Sequence, residues 1–346
     1  MQNKEIIDLL HQSGELSKDL WIKLLSTYTD VDRLYAASIA RDIADKVYGK
    51  DIYIRGLIEF TNYCKNDCYY CGIRASNRCA KRYRLEKEDI LECCENGYKL
   101  GFRTFVLQGG EDLHYSDEWY EDLIKCIKNK YDDCAITLSI GERSRESYEK
   151  WFKAGADRYL LRHETATKDH YNKLQPDNLL LENRMQCLND LKEIGYQVGC
   201  GFMVGSPYQT VENLAEDMMF IHKLKPHMVG IGPFIPHKDT PFKDEKAGEL
   251  YLTTFLLSLI RIMEKNVLLP ATTALGTISP TGREEGILAG ANVIMPNLSP
   301  TKVRDKYLLY DNKICTGDEA YECRKSIEFK MKKIGYNIVE NRGDYR

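Results

Sequence analysis

Apolar positions in the first fifty residues recur at helical spacing. Leu20, Ile22, Leu24 and Leu25, then Leu34, Ala36 and Ile39, show no sustained alternation, so residues 1–50 are predicted to be helical throughout. From Asp51 onward short runs of Val, Ile, Leu and aromatics are separated by longer amphipathic stretches. Ile52–Phe60, Thr104–Gln108, Ala135–Ile140, Arg158–Arg162, Gln197–Met203, Met228–Gly232, Leu268–Thr272 and Asn292–Met295 read as strands. Glu86–Leu100, Glu118–Asn129, Arg145–Ala154, Glu182–Ile194, Val211–Leu224 and Gly248–Lys265 read as helices.

Strands alternating with helices predict an α/β fold, its parallel sheet closed as a (β/α)8 TIM-type barrel, with a doubly wound open sheet as the structural rival. On this reading residues 1–50 are an N-terminal helical extension, 51–300 the barrel, and 301–346 a C-terminal tail covering one barrel end. Most strands stop in a polar or glycine cluster: Gln108-Gly109-Gly110-Glu111, Ser139-Ile140-Gly141-Glu142, Arg162-His163-Glu164-Thr165, Met203-Val204-Gly205-Ser206-Pro207 and Thr272-Thr273. In a parallel barrel these ends share the face where active sites assemble. Polar loops alone account for Ser206 and Pro207; they account less well for Arg162, Glu164 and Thr272, which close apolar runs.

Composition narrows the function classes. Of 346 residues 43% are apolar and 29% charged, with 49 basic against 52 acidic side chains, a net charge of -3 and no block of one sign. Nothing electrostatic supports a nucleic-acid or membrane-surface partner, and no apolar run is long enough to span a bilayer. The N-terminus lacks the pattern of a signal peptide, so twelve cysteines point to a reducing cytoplasm in which thiols ligate metals or fill the core.

The most specific signal is Cys64-Lys-Asn-Asp-Cys68-Tyr-Tyr-Cys71, directly after the first strand. Three soft thiolates at this spacing suit zinc or an iron–sulfur cluster. No histidine follows closely enough to complete a structural zinc site, and a cubane held by three cysteines leaves one iron open to a ligand. A zinc loop with a distant fourth ligand, or three core cysteines, are the blander readings; either would make the chain a non-catalytic metal-binding or structural barrel. Cys93, Cys94, Cys126, Cys134, Cys187 and Cys200 lie in apolar contexts typical of buried free thiols.

With Tyr70 just before the last cysteine, the triad resembles that of the radical S-adenosylmethionine (SAM) enzymes. Within them the chain resembles the FeFe-hydrogenase maturases of the HydE family, relatives of biotin synthase and methylornithine synthase. The resemblance runs from Asp51 to about Cys323 and rests on Arg162-His163-Glu164-Thr165-Ala166, Pro270-Ala271-Thr272-Thr273-Ala274, Gly290-Ala291-Asn292-Val293-Ile294-Met295-Pro296-Asn297 and Gly230-Ile-Gly-Pro-Phe-Ile-Pro-His237.

The resemblance implies a 4Fe-4S cluster on Cys64, Cys68 and Cys71 whose unique iron is chelated by SAM, which one electron cleaves to methionine and a 5′-deoxyadenosyl radical. It implies SAM contacts from Tyr70, Gly109, Gly110, Glu111, Ser139, Arg162, Glu164 and Arg184. Gln108, Thr137, Arg158, Thr272 and Thr273 would line a cavity for a small organometallic or amino-acid-like substrate, and Tyr307 and Tyr310 would cap it or relay the radical. The implied activity is processing of a small iron–cysteine complex carrying CO and cyanide, with transient hand-over between HydG- and HydF-type maturases in the cytoplasm. A radical SAM mutase or sulfur-inserting enzyme is the enzymatic alternative. Some relatives carry a second cluster on three tail cysteines; Cys315 and Cys323 match two, but Ser326 stands at the third, so that site is expected to be incomplete.

Overall fold

The computed structural model describes residues 1–314, 317 and 320–346. Three helices come first: α1 (Asn3–Ser13), α2 (Lys18–Thr27) and α3 (Asp30–Tyr48). Their apolar stripes do not form a separate core. Ile6, Leu10, Trp21 and Ala36 belong to the same buried cluster as Ile54, Ile58, Phe105 and Ile136 of the strands.

The predicted run Ile52–Phe60 is two strands, β1 (Asp51–Ile54) and β2 (Gly56–Thr61), parting at Arg55. Helix α4 (Lys87–Lys99) leads to β3 (Thr104–Gly109), α5 (Asp117–Lys130) to β4 (Ala135–Ser139), and α6 (Arg145–Ala154) to β5 (Arg158–Leu160). Next come α7 (Lys168–Leu174), α8 (Leu181–Ile194), β6 (Gln197–Cys200), β7 (Met203–Val204), α9 (Val211–Leu224), β8 (Met228–Val229) and β9 (Gly232–Pro233). The chain continues through α10 (Leu250–Met263), α11 (Thr273–Ile278), α12 (Gly282–Leu288), β10 (Val293–Ile294), α13 (Thr301–Arg304), α14 (Ala320–Lys333) and β11 (Asn337–Val339). Local chemistry sets several boundaries: Ser116 and Ser144 accept hydrogen bonds from backbone N–H groups in the first turns of α5 and α6, and Gly155 and Gly195 end α6 and α8 in the left-handed region.

The strands pair in parallel, in the order β2-β3-β4-β5-β6-β8, with β10-β1-β11 and β7-β9 as smaller groups. The run Leu268–Thr272, expected as a strand, makes only single parallel bridges, Met228 to Leu268 and Pro270 to Val293. Pro270 at its middle has no N–H to give to a ladder. Among the described residues no helix is long and apolar enough to cross a membrane.

The tail, expected at one end of the sheet, reaches both. Residues 307–313 lie over the carboxyl ends of the strands, whereas Arg342 and Asp344 lie at the opposite end. There Arg158, a predicted cavity residue, opens β5 and is fully buried. It donates to Thr104 Oγ1 (3.0 Å), to the Arg342 carbonyl (2.9 Å) and to Asp344 (2.6 Å). Its place is corrected accordingly: as the first residue of a parallel strand it points into the floor of the sheet, away from the catalytic face. Burial pushes the Asp344 carboxyl up, but the charges of Arg158 and Arg342 outweigh it and hold the group below its ordinary value.

Asp344→Ala is expected to destabilise the fold by about 1 kcal/mol, because Asp344 is half-open to water and screened. Its lowered pKa makes this contribution full above the unfolded carboxylate value of about 4 and lost on acidification through the folded one. Urea midpoints of wild type and variant should therefore differ at pH 7 and converge in acid.

Candidate functional site

Strand β2 runs out at Thr61 into the loop that carries Cys64, Cys68 and Cys71, and all three border one cavity of about 320 Å³ at the carboxyl ends of the strands. The loop is wound on Arg82. Its guanidinium donates to the carbonyl oxygens of Asn62 (2.5 Å), Ile73 (2.8 Å), Arg74 (2.6 Å) and Asn77 (3.1 Å). A planar fork that is always charged suits this role, since no titration releases the loop. The Asn62 amide donates to the Lys81 and Lys306 carbonyls, tying the tail to the same loop. Gly110 must be glycine: a Cβ there would meet the Tyr63 carbonyl at 2.2 Å and Cys64 Cβ at 2.8 Å.

Burial pushes the three thiols up, Cys71 to about 12, while the nearby Arg82 charge pulls Cys64 and Cys71 the other way. Loading a metal centre therefore releases protons. Among the described residues no three His, Cys, Asp or Glu side chains converge tightly enough to hold one metal ion. A cubane, which offers a separate iron to each thiolate, suits three spread thiols better than a single zinc does.

Opposite the thiols lies a polar wall. Arg184, from α8, has Nε 2.7 Å from Glu142 Oε1 and Nη2 3.9 Å from Glu111 Oε1, while Lys65 Nζ is 3.4 Å from Glu111 Oε2. Burial opposes the Arg184 charge, but Tyr171, Glu142 and Glu111 outweigh it. Burial likewise raises Glu142 above the usual carboxylate range despite Arg184. Arg162 Nη2 lies 3.2 Å from Glu164 Oε2. These close approaches lack hydrogen-bond angles, leaving Arg184 Nε, Glu142 Oε1, Arg162 Nε and Nη2, and Glu164 Oε2 buried without a hydrogen-bond partner. Buried polar atoms left this way are costly, and a ligand bearing a carboxylate, an ammonium and hydroxyls would satisfy them. The methionine and ribose parts of SAM are such a ligand, so the residues present fit it.

Glu164 is held in a left-handed backbone, φ 65°, uncommon outside glycine and asparagine. Its N–H donates to the Gly201 carbonyl (3.0 Å), and Ala166 N–H donates to Asp217 (2.6 Å), which lies 3.3 Å from His163 Nε2 in a fully buried pair. The surroundings thus fix the carboxylate's direction into the cavity. Tyr70 also borders the cavity, its hydroxyl accepting from Gln175.

The far end of the cavity is lined by Gln108, Thr272, Thr273, Tyr307 and Tyr310. Gln108 donates to the Tyr307 hydroxyl (3.3 Å), and Thr272 Oγ1 is buried with no partner. Gly109 and Ser139 line the wall between the two ends. Thr137 does not border this cavity. It shares a face of β4 with Ser139, one pair deeper, with its hydroxyl also unpartnered. Arg158 is at the opposite end of the sheet, Cys315 lies outside the described residues, and Cys323 and Ser326 of α14 do not border the cavity; Cys323 is buried and Ser326 exposed.

Three residues escaped the sequence reading, Arg82, Glu59 and Lys313, while Glu142 was read only as part of a strand-end cluster. Glu59 and Lys313 form a buried ion pair on the cavity wall (2.5 Å). Only Glu59 left a signal, as a lone carboxylate inside an apolar strand run.

Arg82→Met removes four backbone hydrogen bonds from the loop. It is expected to cut iron bound after anaerobic reconstitution to below about half of wild type. Iron analysis beside a circular dichroism spectrum checks this, the latter remaining native.

Known proteins place this geometry in a family. The Radical SAM superfamily profile matches residues 58–221. The chain is 44% identical over 339 residues to the FeFe-hydrogenase maturase subunit HydE of Thermotoga maritima, covering 97% of this chain and 96% of that protein. Its fold matches the crystal structure of methylornithine synthase (PylB) with a TM-score of 0.84 at 25% identity, covering 96% and 97% of the two chains. It matches HydG, another maturase of the FeFe-hydrogenase, at 0.81 and 21% identity, covering 97% of this chain and 76% of that one. A triad of thiols beside a partnerless polar wall, in a chain this similar to HydE, is a radical SAM enzyme, and the chain belongs to the HydE family of FeFe-hydrogenase maturases.

Proposed function

We propose that Cys64, Cys68 and Cys71 hold a 4Fe-4S cluster and that the polar wall seats SAM against it, for action on a small iron–cysteine precursor bearing CO and cyanide. The observation that carries this reading is the convergence on one cavity of about 320 Å³ of three thiols and of Arg162, Glu164 and Arg184, whose buried polar atoms lack hydrogen-bond partners. When bound and reduced by one electron, the cluster and SAM supply a 5′-deoxyadenosyl radical.

The chain's own part is binding, orientation and exclusion of water. Arg184 is placed to grip a carboxylate, Glu111 and the Gly109–Gly110 backbone to receive an ammonium, and Glu164 to accept from ribose hydroxyls. Arg162 and Ser139 add donors along the same wall, and Tyr70, within the cluster loop, borders the same cavity. At the far end Thr272, Thr273 and Gln108 offer donors for a small anionic group, among apolar Leu57, Leu160 and Met295. Burial, with the Glu59 charge, holds the Tyr307 phenol well above its usual range, so it stays neutral and can donate.

The same reading treats residues 51–300 as a closed (β/α)8 barrel. The bridges Met228–Leu268, Pro270–Val293 and Leu57–Asn297 support closure, since they link β8 back to β2 through the 268–270 and 293–297 segments. Residues 1–50 and 301–346 are then its helical extension and its tail. It also takes the chain as a cytoplasmic enzyme that exchanges substrate and product with HydG- and HydF-type maturases. A stable second cluster is not part of it, because Ser326 stands where a third tail cysteine would be needed, and a hydroxyl is a poor ligand for soft iron.

Cys71→Ala is expected to abolish 5′-deoxyadenosine release from SAM and dithionite; release at the wild-type rate would end the reading. Iron analysis of reconstituted wild type should give about four atoms per chain, and a value near eight would restore the second cluster. In an anaerobic mixture of purified maturases, omitting this protein should abolish hydrogenase activation, and undiminished activation would exclude the maturase role.

A further inference from the structure

We infer that Glu59 and Lys313 are positioning residues, a buried charge pair that latches the tail across the cavity and fixes Tyr307 at its far end. Lys313 is 6% and Glu59 1% exposed at the side chain, with Nζ 2.5 Å from Oε1. The second carboxylate oxygen accepts from the Asn297 amide (2.8 Å), and the Glu59 backbone N–H donates to Ser299 Oγ (2.7 Å). Strand β2, the 297–299 segment and the tail therefore meet at one carboxylate.

The ammonium grips Tyr307 twice. It donates to the Tyr307 carbonyl (2.9 Å) and stands 4.9 Å from the centre of its ring. The phenol's other end is held by Gln108. Elsewhere this tail segment is held at its edges, by Gly72 N–H to the Leu309 carbonyl, Asp311 N–H to the Pro236 carbonyl, Lys238 N–H to the Asp311 carboxylate (2.8 Å) and the Asn62 amide to the Lys306 carbonyl. At Lys313 a side chain reaches back into the cavity, and a buried ion pair is strongly directional because either charge alone is costly. The pair thus couples closure of the tail to the placement of the phenol. The inference rests on the reading of Tyr307 as a substrate-end residue, whereas the latch itself does not.

The test uses the anaerobically reconstituted holoenzyme. Limited trypsin digestion reads cleavage after Lys306, a site that every variant keeps, and hydrogenase activated per 5′-deoxyadenosine released reads substrate placement. Glu59→Gln is expected to speed cleavage about tenfold and to lower the activation ratio about tenfold, whereas Lys313→Arg alone, which keeps a cation opposite Glu59, should retain most of both. Lys302→Met, on an exposed side chain in the same tail, should behave as wild type. Should the single variant lose its cluster, Glu59→Gln with Lys313→Gln leaves no unpaired charge and keeps the experiment decisive. The inference is overturned if that double variant retains wild-type trypsin resistance and activation ratio. Wild type that releases no 5′-deoxyadenosine would instead defeat the reading of the site, leaving the digestion result to judge the latch alone.

Discussion

A single guanidinium holds the loop on which the site depends. Arg82 collects the carbonyls of Asn62, Ile73, Arg74 and Asn77, residues on both flanks of the three cysteines, and so sets the span over which the thiols can spread. Its permanent charge also offsets part of the burial that keeps Cys64 and Cys71 protonated. Gly110 and the Lys65 N–H to Glu111 carbonyl bond then bring the end of β3 against the same loop, so the thiols and the polar wall share one frame.

The two ends of the sheet use buried charge differently. At the floor, Arg158 is satisfied by Thr104, Gln197, Arg342 and Asp344. At the carboxyl ends, Arg162, Arg184 and Glu164 keep partnerless atoms facing the cavity. The first arrangement is self-contained, and the second suits a bound polar ligand. Between them, the His163–Asp217 pair anchors the turn in which Glu164 is strained without touching the cavity itself.

Much of this was legible from residue patterns. The cysteine spacing located the thiols, and polar residues closing apolar runs located Gly109–Glu111, Ser139, Arg162, Glu164 and Thr272 on one face. The strand boundaries were less so: Arg55 divides the first predicted strand, and Pro270 reduces another to isolated bridges. Arg158 misled because resemblance placed it by type, whereas its position at the start of β5 sets which end of the sheet it serves. Arg82 sits among Arg78, Lys81 and Arg84 with nothing local to single it out, since its partners are main-chain carbonyls that only the folded loop brings together. Lys313 was invisible for a similar reason, its partner lying 254 residues away.

The anchoring of Arg158 also bears on synthesis. Its carboxylate partner lies 186 residues further along the chain, so at about 5–20 residues per second the nascent protein spends roughly 10–40 s with that arginine made and its counter-charge not yet translated. The interior of the sheet cannot settle into its final electrostatic state during that interval. Completion of that part of the core is thereby deferred until Asp344 has been made.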